Sequence, residues 1–460
     1  MPLALVAAAA QAVPIMPVTM ESFSETLTRF TEFERRWIAG LGFKPELGAT
    51  ALVPATAGGL GRVLVGWNPK EAIWALGGLP EALPQGQYSL DARLDRANAT
   101  RVALGWALGA YAFSRYKKPS RAPAELVWPA EADRAEAERL ARAINLTRDL
   151  INTPAEEMGP AELALAAEQL AAERGARSTV LVGDELLKQN YPMIHAVGRG
   201  SARVPRLIDL VWGDPKAPKL TLVGKGVCFD SGGLDLKTAQ GMRMMKKDMG
   251  GAATLLGLAS AIMDAEMPVR LRLLIPAVEN FVSAISYRPL DVIRTRKGLT
   301  VEIGNTDAEG RLILCDVLAE ADSEQPALII DMATLTGAAR VALGPDLPAL
   351  FANDDAVATA LLEAGTAESD PFWRMPLWKP YRKLLDSKVA DLNNVSESGF
   401  AGAVIAALYL AEFVSPKTPW AHIDTYAWNP TSRPGRPEGA EALGLRALYS
   451  ALQRRFGGKT

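Results

Sequence analysis

Histidine and cysteine are nearly absent from this sequence of 460 residues, which contains two of each. Two histidines argue against a metal site built on several imidazoles, so any metal must be held mainly by oxygen ligands. We expect His195 and His422 to be structural. Two cysteines do not form a disulfide framework, and a reducing cytoplasm is the simplest location. Cys228 and Cys315 are predicted to be small buried hydrophobic groups.

The sequence also lacks an excess of charge of one sign and a long apolar run. Its formal net charge is -2, which does not favour nucleic acid as a partner. No run of about eighteen apolar residues occurs, so no membrane span is predicted. The N-terminus, MPLALVAAAAQAVP, has no basic residue before its apolar stretch, unlike a secretory signal. We interpret it as a buried first strand or a partly ordered tail.

Hydrophobic residues are abundant, at 49% of the chain, which is enough for a large packed core. Residues 117–129, KKPSRAPAELVWP, are rich in proline and charge and are interpreted as a linker. It separates a small N-terminal α/β domain, residues 1–125, from a larger domain, residues 126–460. In the larger domain apolar strands alternate with amphipathic helices. This alternation predicts a mostly parallel central sheet covered by helices on both faces.

Charged residues cluster after two of the predicted strands, within residues 223–254 and 305–314. The members of these clusters are Lys225, Asp230, Lys237, Asp248, Asp307, Glu309 and Arg311. The active site of such a fold lies beyond the C-terminal ends of the strands. Four carboxylates there repel one another unless cations lie between them, and two divalent ions would serve. Oxygen-rich sites suit Mg, Mn and Zn, with Zn favoured over Mn at equal geometry.

Each of these residues also has a simpler interpretation. An Asp-x-Glu-x-Arg pattern by itself is usually a solvated loop, and Lys246 and Lys247 are most simply solvent-facing. Arg311 stays protonated, so it is neither a metal ligand nor a base, but it is suited to binding an anion at the start of a helix. The combination of groups at strand ends is what favours a functional site.

The segment NTDAEGRL resembles the signature of the leucyl aminopeptidase family, the dinuclear-metal exopeptidases of the M17 family. Further segments follow the order of the family's motifs: RDLINTPAEEMGP, GKGVCFDSGG, KDMGGAAT, DMATLTGA, WKPYRKLLDSKVADLNN and WAHIDTYAW. The resemblance covers roughly residues 140–430. The first 120 or so residues do not obviously resemble the N-terminal domain of well-known members.

The resemblance implies a cofactor of two divalent metal ions, Mn or Zn, with Mg or Co also possible. One ion, held tightly, would be bound by Lys225, Asp230, Asp248 and Glu309. The second, exchangeable ion would be bound by Asp230, Glu309 and both the carboxylate and the main-chain carbonyl of Asp307. Asp230 and Glu309 would therefore bridge the two ions.

The resemblance also implies the remaining roles. Lys237 would polarise the scissile carbonyl, and Arg311 would hold a bicarbonate ion that relays a proton. The substrate would be bound by Met245, Asn305, Thr334, Leu335, Gly337 and Ala440. The implied reaction removes N-terminal, preferably apolar residues such as leucine from short peptides with a free N-terminus, through attack of a metal-bridging hydroxide. A homohexamer is implied as well. Composition, not the resemblance, is the basis for expecting a cytoplasmic location without membrane or nucleic-acid partners.

Two features depart from the family pattern. Asp235 stands where a serine or another small residue is common, which places a carboxylate two positions from Lys237, where the two could pair. RPEGAEALGLRAL replaces a GATGRP-like segment around Ala440. Two other functions stay open: a different two-metal hydrolase such as a phosphoesterase, and a non-enzymatic scaffold or regulator that retains the fold. The lysine ligand and the TLTG segment disfavour the first, and the full set of expected ligands disfavours the second.

Overall fold

The computed structural model describes residues 3–457. The chain forms two compact units. The first extends to Asn145 and includes Asn429–Gly439, and the second consists of Leu146–Trp428 and the chain from Ala440 onward. Among the residues described, no helix is both long enough and apolar enough to cross a bilayer.

The first unit contains a six-stranded sheet. Its strands are β1 (Leu5–Val6), β2 (Val13–Val18), β3 (Thr50–Pro54), β4 (Leu60–Gly66), β5 (Gln87–Leu90) and β6 (Glu125–Val127). The strand order is β1-β6-β5-β2-β4-β3, and only β3 and β4 pair antiparallel. Its helices are α1 (Phe23–Leu27), α2 (Glu32–Gly40), α3 (Ala72–Ala75), α4 (Leu79–Ala82) and α5 (Arg96–Gly109).

The start of α2 shows how the sequence sets a local structure in this unit. The Thr31 side chain accepts a hydrogen bond from the Glu34 main-chain N–H, and the Glu34 carboxylate accepts one from the Thr31 N–H. This reciprocal capping box satisfies two N–H groups that the first helical turn leaves free. The predicted N-terminal α/β domain is therefore present as a folded unit with its own core, which includes Tyr88 and Trp106.

The structure differs from the sequence-based expectation in the segment 117–129. Three of its residues, Glu125–Val127, form β6 between β1 and β5 of the first sheet, so the segment is not wholly a linker. The expected N-terminal strand is β1, whose residues are half-buried. Residues 1 and 2 of that prediction lie outside the described range.

The second unit contains a nine-stranded sheet. Its strands are β7 (Arg177–Val182), β8 (Arg206–Trp212), β9 (Lys219–Gly224), β10 (Gly226–Asp230), β11 (Arg270–Asn280), β14 (Leu328–Ala333), β15 (Ala349–Ala352), β16 (Trp373–Arg374) and β18 (Trp420–Asp424). The strand order is β16-β15-β18-β14-β9-β11-β8-β7, and β10 also pairs with β11. A smaller sheet contains β12 (Val292–Arg294), β13 (Thr300–Glu302) and β17 (Leu392–Asn393). Two short strands follow, β19 (Trp428–Asn429) and β20 (Gly439–Ala440).

The remaining helices belong to the second unit, apart from α6, which begins in the first. They are α6 (Arg134–Asn152), α7 (Pro160–Arg174), α8 (Glu185–Lys188), α9 (Pro192–Gly198), α10 (Ala239–Met242), α11 (Gly250–Asp264), α12 (Glu309–Ser323), α13 (Gly337–Leu343), α14 (Asp355–Ala367), α15 (Gly402–Ala411) and α16 (Leu445–Phe456). Helix α7 has Pro160 in its first turn and left-handed Gly175 as its C-cap, which are common residues at these positions.

The centre of this sheet is parallel and buried on both faces. Strands β18, β14, β9 and β11 are mutually parallel neighbours, whereas β15, β8 and β7 pair antiparallel near the edges. Every residue of β14 and β18 is buried. Since successive side chains of a strand point to opposite faces, a wholly buried strand is covered on both sides. The predicted α/β class is confirmed.

Parallel pairing brings the C-terminal ends of the central strands to one edge of the sheet. The register pairs Gly224 at the end of β9 with Met332 near the end of β14, and Ala333 with Asp424 at the end of β18. Asp230 at the end of β10 lies opposite Asn280 at the end of β11. The residues that follow these ends therefore meet above one edge, as expected for a functional site in such a sheet.

Candidate metal centre

Three carboxylates from two distant segments converge at this edge. Oxygen atoms of Asp230, Asp307 and Glu309 all lie within 4.8 Å of one another. Asp230 is the last residue of β10, and Glu309 is the first residue of α12, so regular elements fix both. Asp307 lies in the turn before α12. Its side chain is 34% exposed, against 3% for Asp230 and 2% for Glu309, which gives the cluster one open side.

Lys225 connects this cluster to a fourth carboxylate. Its Nζ lies 2.8 Å from Oδ2 of Asp248 and 2.8 Å from Oε1 of Glu309, and it donates a hydrogen bond of 3.0 Å to the Thr334 carbonyl. Burial by itself would lower the pKa of Lys225. The carboxylates of Asp248 and Glu309 outweigh that effect and leave this pKa above its ordinary value.

Lys237 approaches the cluster from its more open side. Its Nζ lies 2.8 Å from Oδ2 of Asp230 and forms an ion pair with Asp307. Burial opposes the charge of this lysine, but the neighbouring carboxylates, Asp230 first, raise its pKa. The two predicted active-site lysines therefore point at the same group of oxygens.

The carboxylates lie close enough together for their negative charges to repel one another. Burial, followed by repulsion from Asp230, raises the pKa of Glu309 to about 8 and the pKa of Asp307 to about 6. Oδ2 of Asp248 and Oε1 of Glu309 are buried, and the Lys225 ammonium is the one cationic group within 4 Å of them among residues 3–457. Buried anionic oxygens of this kind fit divalent cations, which relieve the repulsion and take up the free lone pairs.

Thr334 holds Asp248 in place. Its hydroxyl donates to Oδ1 of Asp248 at 2.7 Å and lies 3.1 Å from the Asp248 carbonyl oxygen. Thr334 directly follows β14, whereas Asp248 lies in the 3-10 turn before α11. Hydrogen bonds to a ligand group of this kind fix its orientation toward a metal. The side chain of Thr334, predicted to line the substrate pocket, is thus engaged with a predicted ligand.

Arg311 is a buried guanidinium in the first turn of α12. Nη1 donates to the Asn394 carbonyl at 2.7 Å, while Nε has no hydrogen-bond partner within the described part of the chain. Burial lowers the pKa of Arg311. A partly satisfied guanidinium at a helix N-terminus is suited to an anion.

Of the other predicted substrate-binding residues, all but Ala440, which lies in β20, are on segments that carry this cluster. Met245 begins the 3-10 turn Met245–Met249, and exposed Gly337 begins α13. The Leu335 N–H donates to Asp424 at 3.0 Å. Oδ1 of Asn305 accepts from the Asp307 N–H at 2.6 Å, and the N–H of buried Ala440 donates to Asn152 at 3.1 Å. Their roles toward a substrate stay predictions.

Several positioning groups were missed in the sequence analysis. Nδ2 of Asn280 donates to Oδ1 of Asp230 at 2.9 Å and to the Thr306 carbonyl at 3.0 Å. Asn394 is fully buried; its Oδ1 accepts from the Gly304 N–H, and its Nδ2 donates to the Asn305 carbonyl, both at 2.8 Å. The available signal was the position of both asparagines at strand ends, in the segments ENF and ADLNN.

Two expectations are corrected here. Asp235 does not pair with Lys237; its carboxylate accepts from the Thr306 N–H at 2.7 Å, because the turn between them points the two side chains to different partners. Lys247 is not solvent-facing but buried, with Nζ 4.7 Å from the ring centre of Tyr426. Its burial lowers the pKa of this lysine to about 8.

A cluster of buried carboxylates at the C-terminal edge of a mostly parallel sheet fits the site of a metal-dependent enzyme. Residues 145–449 match the family described as "Cytosol aminopeptidase family, catalytic domain", and residues 13–129 match "M17 aminopeptidase, N-terminal domain". The chain therefore belongs to the cytosol aminopeptidase family, as NTDAEGRL indicates. The second match overturns the expectation that the first 120 or so residues lack a family resemblance.

Individual relatives agree with this assignment. The chain is 39% identical over 436 residues to a probable cytosol aminopeptidase of Syntrophotalea carbinolica, which covers 91% of this chain and 85% of that protein. It is 44% identical over 334 residues to Peptidase B of Serratia proteamaculans, covering 70% and 77%.

Solved structures are similar over nearly the whole chain. The crystal structure of a cytosol aminopeptidase from Coxiella burnetii has a TM-score of 0.95 and 50% identity, covering 98% of this chain and 99% of that one. The bottromycin maturation enzyme BotP in complex with Mn has a TM-score of 0.88 and 33% identity, covering 97% and 100%. The protein is thus a metal-dependent aminopeptidase, a hydrolase of peptides.

Proposed function

We propose that this protein releases single N-terminal residues, preferably apolar ones such as leucine, from short peptides. The observation that carries the proposal is the convergence of Asp230, Asp307 and Glu309 within 4.8 Å, with Lys225 connecting Glu309 to Asp248. Two divalent cations bound by these five residues would supply Lewis acidity and an activated water.

The native ions are proposed to be Mn or Zn, since both accept an oxygen-rich ligand set, as do Mg and Co. The similar enzyme BotP was solved with Mn, which supports Mn²⁺ as the first ion to test. Asp230 and Glu309 are proposed to contact both ions because they are the most buried of the three converging carboxylates.

Lys237 is proposed to act on the scissile carbonyl. It lies at the open side of the cluster beside half-exposed Asp307, where a peptide can approach. Its ammonium can donate to the carbonyl oxygen and stabilise the negative charge that develops there. Asp248, oriented by its hydrogen bond from Thr334, is proposed to bind the free amino group of the substrate. Because the substrate is then positioned by its amine, cleavage occurs after the first residue.

Arg311 is proposed to hold a bicarbonate ion through its unengaged Nε and remaining N–H groups. Held there, the anion would lie at the N-terminus of α12, where the helix dipole favours negative charge, and would relay a proton from the attacking water. The buried position of Arg311 supports this role because an ion pair is stronger away from solvent.

The substrate's first side chain and peptide are proposed to be bound by Met245, Asn305, Thr334, Leu335, Gly337 and Ala440. The flexible thioether of Met245 suits an apolar side chain. We also propose that the protein is a homohexamer in the cytoplasm that acts on peptide substrates. Exposed apolar side chains such as Val341, at 84%, and Phe400, at 83%, are available for contacts between subunits.

The test is hydrolysis of leucine p-nitroanilide by metal-stripped protein, with and without Mn²⁺ or Zn²⁺. N-acetyl-leucine p-nitroanilide is the matched substrate without a free amine. We expect metal-restored cleavage of the free-amine substrate alone. Cleavage of both substrates would contradict recognition of the amine by Asp248. Release of phosphate from a simple ester, with no cleavage of either peptide analogue, would instead support a two-metal phosphoesterase.

A further inference from the structure

Thr306, which directly precedes Asp307, is the most completely hydrogen-bonded residue of the loop that carries this ligand. Its N–H, hydroxyl and carbonyl all have partners, and the residue is fully buried. The carbonyl accepts from Nδ2 of Asn280 at 3.0 Å and from the hydroxyl of Tyr287 at 2.6 Å. The hydroxyl donates to the Gly232 carbonyl at 2.7 Å. Thr306 is therefore a junction between the two ligand-bearing segments.

Asp235 supplies the contacts on the remaining side of Thr306. Its Oδ2 accepts from the Thr306 N–H at 2.7 Å and lies 3.1 Å from the Thr306 hydroxyl oxygen. In return, the Asp235 N–H donates to that hydroxyl at 2.9 Å. A hydrogen bond to an ionised acceptor is roughly twice as strong as one between neutral groups. This pair joins the loop after β10 to the loop before α12.

The loop after β10 has a shape that makes this contact possible. Gly232 and Gly233 both have positive φ, of 92° and 70°, which turns the chain back toward Thr306. A Cβ added at Gly233 would lie 2.9 Å from Oγ1 of Thr306 and 2.9 Å from Oδ1 of Asn280. The close packing leaves Asp235 directed at the Thr306 main chain and leaves Lys237 directed at the carboxylates.

Among the three carboxylates that converge, Asp307 is the one that needs such support. Asp230 ends a strand and Glu309 begins a helix, but Asp307 lies in a turn, and it is the most exposed of the three. A ligand on an irregular segment depends on neighbouring hydrogen bonds for its orientation.

We infer that Asp235 is a positioning residue that fixes the main chain of Thr306 and thereby directs Asp307 at the metal centre. The inference rests on the proposed function, because it requires that centre to bind two cations. Within residues 3–457, no hydrogen bond or ion pair joins Asp235 to Asp248 or Lys225. The loss of Asp235 should therefore weaken the cation site that includes Asp307 and leave the site that includes Asp248 intact.

The experiment is a Mn²⁺ titration of metal-free protein by calorimetry, with wild type, Asp235→Ala and Asp235→Asn in parallel. We expect two binding events in wild type. In Asp235→Ala one dissociation constant should rise about 10- to 100-fold while the other stays unchanged. Asp235→Asn keeps an amide oxygen that can accept from Thr306 and should restore most of the affinity. At limiting Mn²⁺ the activity of Asp235→Ala should fall, and excess Mn²⁺ should recover kcat.

Asp214 provides the matched control. Its Oδ1 accepts a hydrogen bond from the Lys216 main-chain N–H at 2.9 Å. Asp214 lies in the loop before β9, whereas Lys225 follows the other end of that strand. Asp214→Ala should bind Mn²⁺ as wild type does. Amide exchange of metal-free protein gives a second readout: residues 304–308 should exchange faster in Asp235→Ala but not in Asp214→Ala. If Asp235→Ala does not fold, the same titration is made with Asp235→Ser, a polar substitution at this half-buried loop position.

The outcomes separate the inference from the proposed function. If wild type binds two ions, the proposed two-metal centre stands. Unchanged dissociation constants in Asp235→Ala, or equal weakening of both, would then overturn only the role of Asp235. Fewer than two ions in wild type would overturn both. Equal losses in Asp235→Asn and Asp235→Ala would also contradict the inference, because the hydrogen-bond acceptor would then not be the cause.

Discussion

The ammonium of Lys225 lies 2.8 Å from a carboxylate oxygen of Glu309, which joins the end of β9 to the start of α12. The same ammonium lies 2.8 Å from Asp248, in the turn before α11. One buried lysine thus holds a strand end, a helix start and a 3-10 turn together at the metal centre. Its side chain can do so only if nothing fills the space beside it.

Gly310 provides that space, so we expect Gly310→Ala to disrupt the centre. A Cβ at this position would lie 2.7 Å from Cε and 2.8 Å from Nζ of Lys225. Since the end of a lysine side chain is flexible, the protein should fold with Lys225 displaced from Asp248 and Glu309. We expect metal affinity to fall by about tenfold or more, measured by Mn²⁺ titration of the metal-free protein.

Gly40→Ala is the control for that substitution. Gly40 ends α2 in the first unit, and a Cβ there would meet nothing within 4 Å. Alanine is favoured over glycine in a helix by up to about 1 kcal/mol, so this variant should be neutral or slightly more stable. Equal metal affinity in Gly310→Ala and wild type would show that Lys225 does not need its observed position.

Lys237→Ala should reduce kcat by about 10²–10³ with little change in KM. The reason is that a donor aimed at a developing oxyanion contributes in the transition state more than in substrate binding. Steady-state hydrolysis of leucine p-nitroanilide at saturating Mn²⁺ measures both constants. Lys216→Ala, at an exposed loop position before β9, is the matched control and should behave as wild type. The role fails if Lys237→Ala keeps kcat and raises only KM.

Thr334→Val should weaken metal binding although Thr334 carries no ligand atom in the proposed set. The substitution removes the hydroxyl that donates to Asp248 at 2.7 Å and leaves a side chain of similar size. Loss of a hydrogen bond to a ligand typically costs about 10- to 100-fold in metal affinity. Thr334→Ser retains the hydroxyl and should retain the affinity, as Mn²⁺ titration can determine. Equal weakening in both variants would point to packing instead.

The central sheet and the position of the charged residues at its edge could be predicted from the sequence because both follow from the alternation of strands and helices. Apolar strands alternating with helices imply parallel pairing, and parallel pairing collects the strand ends at one edge. Asp230 ends a strand and Glu309 begins a helix. Once these elements are recognised, both residues are expected at the same edge of the sheet. The strand β6 was missed because three residues after a proline-rich stretch have no periodicity to detect.

The neutral residues around the ligands could not be predicted, since hydrogen-bond partners distant in sequence leave no local pattern. Nothing in the segment ENF indicates that Asn280 would join Asp230 to Thr306. The partner of Asp235 depends on two positive φ angles at adjacent glycines, which spacing alone does not specify. The two-residue spacing suggested that Asp235 could pair with Lys237. The turn between them instead directs the Asp235 carboxylate to the Thr306 N–H.

Asp316 gives a prediction for stability away from the metal centre. This fully buried residue of α12 accepts from the Met193 N–H, in the first turn of α9, and from the Arg296 N–H, both at 2.8 Å. In Asp316→Asn the amide oxygen can accept only one of these, and the NH₂ group faces the other donor. We expect a loss of about 1–3 kcal/mol at neutral pH, the typical cost of a buried unsatisfied polar group.

The difference between wild type and Asp316→Asn should also depend on pH. Burial, partly offset by the main-chain N–H groups of Arg296, Met193 and Ile194, raises the pKa of Asp316 to about 7, against about 3.9 for an aspartate in the unfolded chain. Between these values the folded protein keeps a proton that the unfolded chain has lost. This residue's contribution to stability therefore falls as pH rises from about 4 to 7, by up to about 1.4 kcal/mol per pH unit, and is constant above pH 7.

Thermal midpoints of the metal-free proteins across pH 4 to 8 measure this contribution, because the other titrating groups are common to both chains and cancel in the difference. The stability advantage of wild type over Asp316→Asn should be smaller at pH 7 than at pH 4, whereas exposed Asp214→Asn should track wild type throughout. Parallel curves for wild type and Asp316→Asn would mean that Asp316 is ionised in the folded protein over the whole range. The main-chain N–H donors would then outweigh the effect of burial on its pKa.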